Sequence, residues 1–519
     1  MRPDVWRAPV ELSPAEAQIV KRVRRAKLFV MLRLRRHELF DEGFQGELAG
    51  LYRDRPKGQP PVPPARLALA TILQAYTGAS DDEVIEATVM DRRWQLVLDC
   101  LDVEQPPFAK GTLQNFRTRL IAANLDRRLV ERTVELSATP AAGRRLRVAL
   151  DSSPLWGAGR VEDTLNLMGH ALRKALGVIA VQQGWGLAEG TTMLAEQAGV
   201  PVLAASSLKA ALDLDWDDPA ARDQALAVVL ATLQAVETFV AGQPEPAPAA
   251  TAAVAVARRV SAQDVDTTGT PTLRRAVAKD RRISVEDADM RHGRKSRSKL
   301  FDGYKRHVLR DLDSGLVPAV GITPANVPEA AVTDDIATDL AAQHATLAEL
   351  HIDRAYLSST LVRDRGDDLV IFCKAWRVRN TSGRYTKTDF RLDFTAATLT
   401  CPNNIVMPFE AGKTVHFPKD TCAACPLRTA CTTSPSGRSV AIHPDEALLT
   451  ELRQRQNTPA GRARLRERVQ VEHALAHIGH WQRHRARYRG TRKNLFDLRR
   501  TAVVHNLHVI AHQPHQTAA

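Results

Sequence analysis

The sequence predicts an α/β fold preceded by an all-helical segment. Apolar residues recur at helical spacing through residues 1–130, as in PAEAQIVKRVRRAKLFVMLRLRRHELF (14–40). Beyond them, short runs with strand-like alternation appear between helical stretches, the first being RLRVAL (145–150) with Leu146, Val148 and Leu150 on one face. Strands interleaved with helices define the α/β class. The chain has 519 residues, 44% hydrophobic and 25% charged, enough for two or three domains with cores.

Within the N-terminal part, the proline-rich PKGQPPVPPARL (56–67) interrupts the periodicity, and ARLALATILQAYTG (65–78) and SDDEVIEATVMDRRWQLVLDCL (80–101) read as helices. Ser80 and Glu83 have the spacing of a capping box. KGTLQNFRTRLIAANL (110–125) adds a helix carrying Thr112, Gln114, Asn115, Arg117 and Arg119. Short helices ending in a polar, basic one fit a helix-turn-helix DNA reader, and equally a plain bundle.

Further along, residues 160–250 are rich in Ala and Leu and helical, and AGQPEPAPAATAA (241–253) has linker composition. FDGYKRHVLRDLDSGLVPAVGITPANVPEA (301–330) reads as strand, turn at Asp313-Ser314-Gly315, strand and loop. LAELHID (347–353) is a strand, RAYLSSTLVRDR (354–365) a helix, DLVIFCKA (368–375) a strand, and 460–511 mainly helix.

The formal net charge is +13, concentrated in three blocks. Met1–Arg36 and Arg291–Arg310 each sum to +7 and Gly461–Arg500 to +9, so the remaining residues are net acidic. Clustering of this kind is the footprint of a phosphate-backbone partner, although single charge runs are commonly solvated faces. No apolar run reaches the roughly 18 residues that span a bilayer. The first residues lack the apolar core of a secretory signal. Six cysteines in so long a chain do not make a disulfide framework, which points to a reducing cytoplasm. Cys100 and Cys373 lie in apolar contexts and read as buried thiols.

Three acids stand out: Asp151 and Asp353, each closing a strand-like run, and Glu472, alone among arginines beside the apolar seam Val471, Ala474, Leu475 and Ile478. Acids at the ends of neighbouring strands, joined by one from a packed helix, can hold two Mg²⁺ ions for phosphoryl transfer on DNA. Each also has an ordinary reading. Asp151 could cap a turn, Asp353 a helix, and Glu472 could pair with Arg468 four residues earlier. Spacing alone leaves both readings open.

Several motifs in order resolve the choice: LDSSPLWGAG (150–159), HGRKSRSKLFDGYKRHV (292–308), GITPANVPEA (321–330), HIDRAYLSS (351–359) and RVQVEHALAHIGHW…RYRG…NLFDLRRTAVVHNL (468–507). With these the chain resembles bacterial insertion-sequence transposases of the DDE class, in the branch with a cysteine-rich insert. The region around 40–120 resembles the leading domain of that family. The resemblance implies an RNase H-like mixed sheet flanked by helices, with Asp151, Asp353 and Glu472 as catalytic residues. It also implies Mg²⁺ (or Mn²⁺) as two ions on those acids, strand cleavage at the element's ends and strand transfer by the freed 3′-OH. The expected organisation is a helical DNA-binding domain at 1–135 and a catalytic domain at 140–510, interrupted by a helical insert at 160–285 and a cysteine-rich insert at 375–445. The expected partners are double-stranded DNA (terminal inverted repeats and target) and further copies of the chain, as a homodimer or larger synaptic assembly on the bacterial nucleoid in the cytoplasm. Many relatives show Tyr-x2-Arg-x3-Glu-x6-Lys around the third acid. Here Arg468 keeps the arginine, but Leu465 and Gly479 occupy the tyrosine and lysine places.

On the transposase reading, Lys295, Arg297, Lys299 and Lys305 hold phosphates near the metals, and Arg468, Arg483, Arg485, Arg487, Arg489, Arg492 and Lys493 do so around and beyond Glu472. His473, His477, His480 and His484 read as polar-face residues of the helix, some of them near DNA, and not as ligands. Cys401, Cys422, Cys425 and Cys431 have the spacing C-x20-C-x2-C-x5-C. That pattern suits a tetrahedral Zn²⁺ stapling an insert without its own core, with an iron–sulfur cluster or four reduced thiols as alternatives. Two other functions share these features: a metal-dependent nuclease of the same fold without strand transfer, and a catalytically inactive DNA-binding protein.

Overall fold

The computed structural model describes residues 2–54, 59–137, 144–245, 247–376 and 382–513. Among these, the central element is a six-stranded mixed sheet. Its strands are β1 (Arg145–Trp156), β2 (Arg291–Arg294), β3 (Leu300–Asp311), β4 (Ala319–Pro324), β5 (Thr346–His351) and β6 (Val370–Phe372). β3 runs antiparallel to β1 in the register Asp151↔Val308 and Trp156↔Gly303, and its other edge carries β2 and then β4. β5 is parallel to β1, and β6 parallel to β5. β1 is longer than its alternation suggested: it continues through Asp151 to Trp156. Its pairing with β5, however, ends at Ala149↔His351. Asp151 therefore lies where β5 has stopped and β3 continues, in a gap on that edge of β1 that a bridge from Trp156 to Arg485 closes at the far end.

Alternation along β1 assigns each face. Leu146, Val148 and Leu150 pack with Leu350, Ile371 and the helices Thr333–Ala342 and Glu446–Asn457. Ala149 and Leu155 face the other side with Tyr304 and Val308, under Val471, Ala474, Leu475 and Ile478 of a helix at Val469–Gln482. Asp151 has the parity of Ala149 and Leu155, which places it on the same side as that helix.

The first helices include α1 (Pro64–Thr77) and α2 (Lys110–Ala122). The capping box of Ser80 and Glu83 is formed. A helical unit follows β1, built on α3 (Thr164–Gln182), α4 (Pro219–Ala241) and α5 (Pro248–Asp264) around its own core. α5 begins inside the stretch whose composition read as a linker; Pro248 sits in its first turn, where a missing N–H and a fixed φ favour the helix start. α4 also departs from the expectation that no apolar run is long enough to cross a membrane. By length and composition it qualifies, with a mean hydropathy of 1.6. Its Leu226, Val229, Leu233, Val236 and Val240 are nevertheless buried against the cores of α3 and α5.

The helix expected directly after Asp353 is only a 3₁₀ turn, Arg354–Tyr356, followed by the single turn Thr360–Arg363. Residues 382–445 form two small sheets around Phe390, Leu399, Val415, Phe417, Val440 and Ile442. This region was expected to lack a core and has a modest one.

The chain closes with α6 (Val469–Gln482) and α7 (Thr491–His512). Phe496, Val503, Val504, Leu507 and Ile510 of α7 belong to the same apolar core as Leu28, Phe44, Leu69, Leu73, Phe116 and Leu129 of the N-terminal helices. The mixed strand order and the flanking helices are consistent with an RNase H-like fold.

Candidate active site

Asp151, Asp353 and Glu472 all line one cleft of about 740 Å³, together with Lys295, Lys299, Arg306, Arg468, Trp156, His480 and His484. β1 supplies Asp151 and the end of β5 supplies Asp353, so the parallel pairing of the two strands brings together residues far apart in sequence. α6 is held across β1 and β3 by its apolar seam, and Glu472, beside that seam, projects from its first turn with its side chain half-exposed.

Asp151 and Glu472 are bridged by one guanidinium. Arg468 donates from Nη1 to Asp151 Oδ2 at 2.5 Å and from Nη2 to Glu472 Oε1 at 3.0 Å. The Asp151 side chain is 16% exposed. Burial pushes its carboxyl above the usual range, with Glu472 adding in the same direction while Arg468 and the Ser152 N–H pull it back. Asp353 is spaced differently: its Oδ1 accepts from the Arg354 N–H, the cap interaction that its position before a turn allowed. Among the described residues, no three His, Cys, Asp or Glu side chains stand together as a ready metal cage. The donors at the acid cleft do fit a hard divalent cation in kind, since all are carboxylate oxygens and Asp151 carries a charge that its surroundings under-compensate.

The cations sort into two groups. Lys295, Arg297 and Lys299 sit on the exposed tip of the β2–β3 hairpin, with Lys295 and Lys299 on the cleft wall. Lys493 is exposed. Lys305, expected beside them, is turned inward: its Nζ donates to Val327 O at 2.8 Å near Glu329, and burial lowers its pKa. Arg485 reaches the Gly157 carbonyl at 3.3 Å, Arg487 donates to Ala79 O at 2.7 Å, and Arg489 pairs with Glu286 at 3.0 Å. Arg492 pairs with buried Asp126. Arg487, Arg489 and Arg492 thus connect parts of the protein, and Arg483 adopts φ +66° at the end of α6. In α2, Arg117 points away from solvent into a pair with Asp81 at 2.5 Å, and Arg119 lies over Tyr52. Of the α6 histidines, His473, His477 and His480 lie on the exposed face of the helix, and His477 also places its Nδ1 2.9 Å from His505 Nδ1 with its ring against Trp481.

Several site residues were not singled out from the sequence. Arg306 is 3% exposed and donates to Ser153 Oγ at 2.7 Å, Gln482 Oε1 at 3.1 Å and Arg483 O at 3.0 Å. Burial lowers its pKa to about 10. A Cβ on Gly479 would stand 3.0 Å from Arg306 Nη2, so the guanidinium occupies the space beside the place where many relatives carry lysine. Trp156 exposes 41% of its surface on the cleft wall, edge-on to Phe301. Glu329 accepts from Ser152 Oγ at 2.8 Å on the opposite face of β1. A second cleft of about 640 Å³ shares Asp353, Arg468 and Glu472 and is walled by Arg354, Lys374, Arg462 and Arg466. Basic character was visible in the sequence for all these arginines, but direction was not.

Cys401, Cys422, Cys425 and Cys431 line one small pocket of about 30 Å³ as free thiols. Burial raises the Cys431 thiol pKa, and the other three cysteines act in the same direction. Cys100 and Cys373 are buried, with burial pushing their thiols up to about 11 and about 12.

An acid-lined cleft at the gap beside β1 of an RNase H-like sheet, ringed by cations, defines an enzyme acting on nucleic acid. Family comparison makes the class specific. A transposase DDE domain matches residues 260–396, a second transposase DDE domain matches 400–511, and a transposase domain (DUF772) matches 27–119. The chain belongs to the DDE transposases of insertion sequences, enzymes that act on and bind DNA and that generally use divalent metal ions. Asp353 and Glu472 fall within the matched segments; Asp151 lies outside them. No curated protein and no solved structure matches the chain.

Proposed function

We propose that this transposase cuts DNA at the ends of its element and joins the freed 3′-OH to target DNA in the cleft lined by Asp151, Asp353 and Glu472. The observation that carries the reading is the convergence on one basic cleft of three acids drawn from β1, the end of β5 and α6. Asp151, Asp353 and Glu472 would hold two Mg²⁺ (or Mn²⁺) ions. When bound, such ions activate an attacking oxygen and stabilise a leaving one. The protein's own groups do the rest. Lys295 and Lys299 hold phosphates along the cleft wall, and exposed Arg297 and Lys493 extend that track. Arg306, rigidly held by three acceptors, orients Ser153 beside the acids. Trp156 and Phe301 provide an apolar wall against the substrate.

The proposed organisation is a DNA-binding segment at 1–135 and a catalytic domain at 140–510 with inserts at 160–285 and 375–445. The substrates are the terminal inverted repeats and target DNA on the bacterial nucleoid, bridged by a homodimer or larger assembly. Cys401, Cys422, Cys425 and Cys431 are proposed to hold Zn²⁺, supported by their shared pocket and the softness of four thiolates. Metal analysis of anaerobically purified protein should return one zinc per chain, whereas iron with sulfide, or no metal, would refute the assignment.

The central test is Asp151→Ala. It should abolish Mg²⁺-dependent cleavage of end-containing duplexes while the protein still binds DNA in the absence of divalent metal; undiminished cleavage would remove Asp151 from the site. A nuclease of the same fold would cleave those duplexes and yield no joined products in a strand-transfer assay. An inactive DNA-binding derivative would do neither.

A further inference from the structure

Arg468 occupies an unusual position. It is the only side chain that hydrogen-bonds both Asp151 and Glu472 among the described residues, at 2.5 and 3.0 Å. It also lies on the ridge between the two basic clefts, lining both. Its side chain is 27% exposed, so it can be reached from solvent without any movement of α6 or β1. It lies one turn before Glu472, and its backbone sits at the N-cap of α6. A swing of the side chain alone would carry the guanidinium off the carboxylates and into either cleft.

A guanidinium matches a carboxylate and a phosphate equally well, through the same planar fork of donors. Held on the two acids, Arg468 satisfies the oxygens that a divalent ion would need. Held on a DNA phosphate, it leaves them free. The two placements compete, because the Nη1–Nη2 pair that bridges Asp151 to Glu472 is also the pair that would grip a phosphate with two parallel bonds.

We propose that Arg468 couples metal loading to DNA binding: without DNA it is the counter-ion of Asp151 and Glu472, and a backbone phosphate entering either cleft draws it away and opens the acids to a divalent cation. This rests on the reading of Asp151 and Glu472 as metal ligands. Linkage then requires reciprocity: DNA tightens metal binding and metal tightens DNA binding by the same factor. The device would keep a nuclease centre unloaded until its substrate is in place.

The experiment is Mn²⁺ titration of the full-length protein, followed by the electron paramagnetic resonance of free Mn²⁺, with and without a random-sequence duplex at low salt. For the unaltered protein, the duplex should raise Mn²⁺ affinity at least about fivefold. Arg468→Gln should bind Mn²⁺ at least about fivefold more tightly than the unaltered protein in the absence of DNA, with little further gain from the duplex. Arg468→Lys keeps the charge but not the two-pronged bridge, and should fall between them. An Arg468→Gln protein with unchanged or weaker Mn²⁺ affinity, or with the full response to DNA, would overturn the coupling. A separate arm checks the foundation: Asp151→Asn should lose Mn²⁺ binding whether or not DNA is present. If it binds Mn²⁺ normally, the metal-ligand reading itself fails and the coupling falls with it. Melting curves recorded without metal confirm that each variant is folded.

Discussion

Arg492 donates from Nη1 to Asp126 Oδ2 at 3.0 Å across 366 residues of sequence. Asp126 is 1% exposed and also accepts from Arg499 at 3.2 Å, while Arg499 reaches on to Asp339. One carboxylate thus ties the N-terminal helices to α7, and through it to the helix Thr333–Ala342 that packs on the sheet. Asp126→Ala leaves buried Arg499 with Asn124 and Asp339, and partly exposed Arg492 with the Ile121 and Asn124 oxygens. Breaking a fully buried pair costs about 3–5 kcal/mol, and these remaining acceptors should hold the loss to about 2–3 kcal/mol. Urea denaturation should show that loss; a variant within about 1 kcal/mol of the unaltered protein would mean the interface tolerates the stranded charges.

DNA affinity should fall steeply with salt, and the hairpin tip should account for part of the slope. Replacing Lys295, Arg297 and Lys299 together by Ala should flatten the plot of log affinity against log salt by roughly 2–3. Arg492→Ala, whose charge is committed to Asp126, should leave that slope where it was. Filter binding over a salt series reads both.

His505 gives a pH dependence with a defined sign. It is 4% exposed, with Nε2 against Gly315 O at 3.2 Å, and burial lowers its pKa to about 4. The unfolded chain, with an ordinary imidazole near pH 6.5, therefore takes up the proton first as pH falls. The stabilisation is complete above about pH 6.5 and is lost progressively down to about pH 4, amounting to about 3 kcal/mol. His505→Gln should flatten the stability profile in that window. A profile as steep as before would move the acid sensitivity elsewhere, to His307 or His508, whose pKa values burial also lowers.

Gly303 faces Trp156 across the β1–β3 ladder with φ +150°, and a Cβ there would lie 2.3 Å from Leu155 O and 2.4 Å from Gly157 N. Both obstacles are backbone, so nothing can step aside. Gly303→Ala should cost more than about 4 kcal/mol or prevent folding. Gly46, with nothing near its would-be Cβ, sits exposed within the helix Glu42–Ala49. There the same change should stabilise by about 0.5–1 kcal/mol, as calorimetry can check.

The sequence disclosed those features that depend on local periodicity. The strands that lead to Asp151 and Asp353, the Ser80–Glu83 capping box and the apolar seam of α6 all follow from spacing within a dozen residues. What it concealed depends on distant partners. Arg492 and Lys493 are neighbours of the same type, yet one is locked to Asp126 and the other is exposed, and nothing local separates them. Arg117 on α2 is held by Asp81, a partner 36 residues away that its own helix does not reveal. Composition misled at 248–253, because a proline in a first helical turn reads the same as a proline in a linker. The extent of β1 past Asp151 was hidden by Pro154, which reads as a breaker but lies where β5 no longer pairs.

The shared apolar core of the first helices and α7 has a consequence for biosynthesis. Leu28, Leu73 and Phe116 emerge from the ribosome hundreds of residues before Phe496 and Val504, the side chains they pack against. Until translation is nearly finished, the leading segment has an unsealed greasy surface that the last helix goes on to cover. Copies of the gene shortened by even a late stop codon should therefore yield chains that are cleared by proteases, and decaying elements would leave little stable debris in the cell.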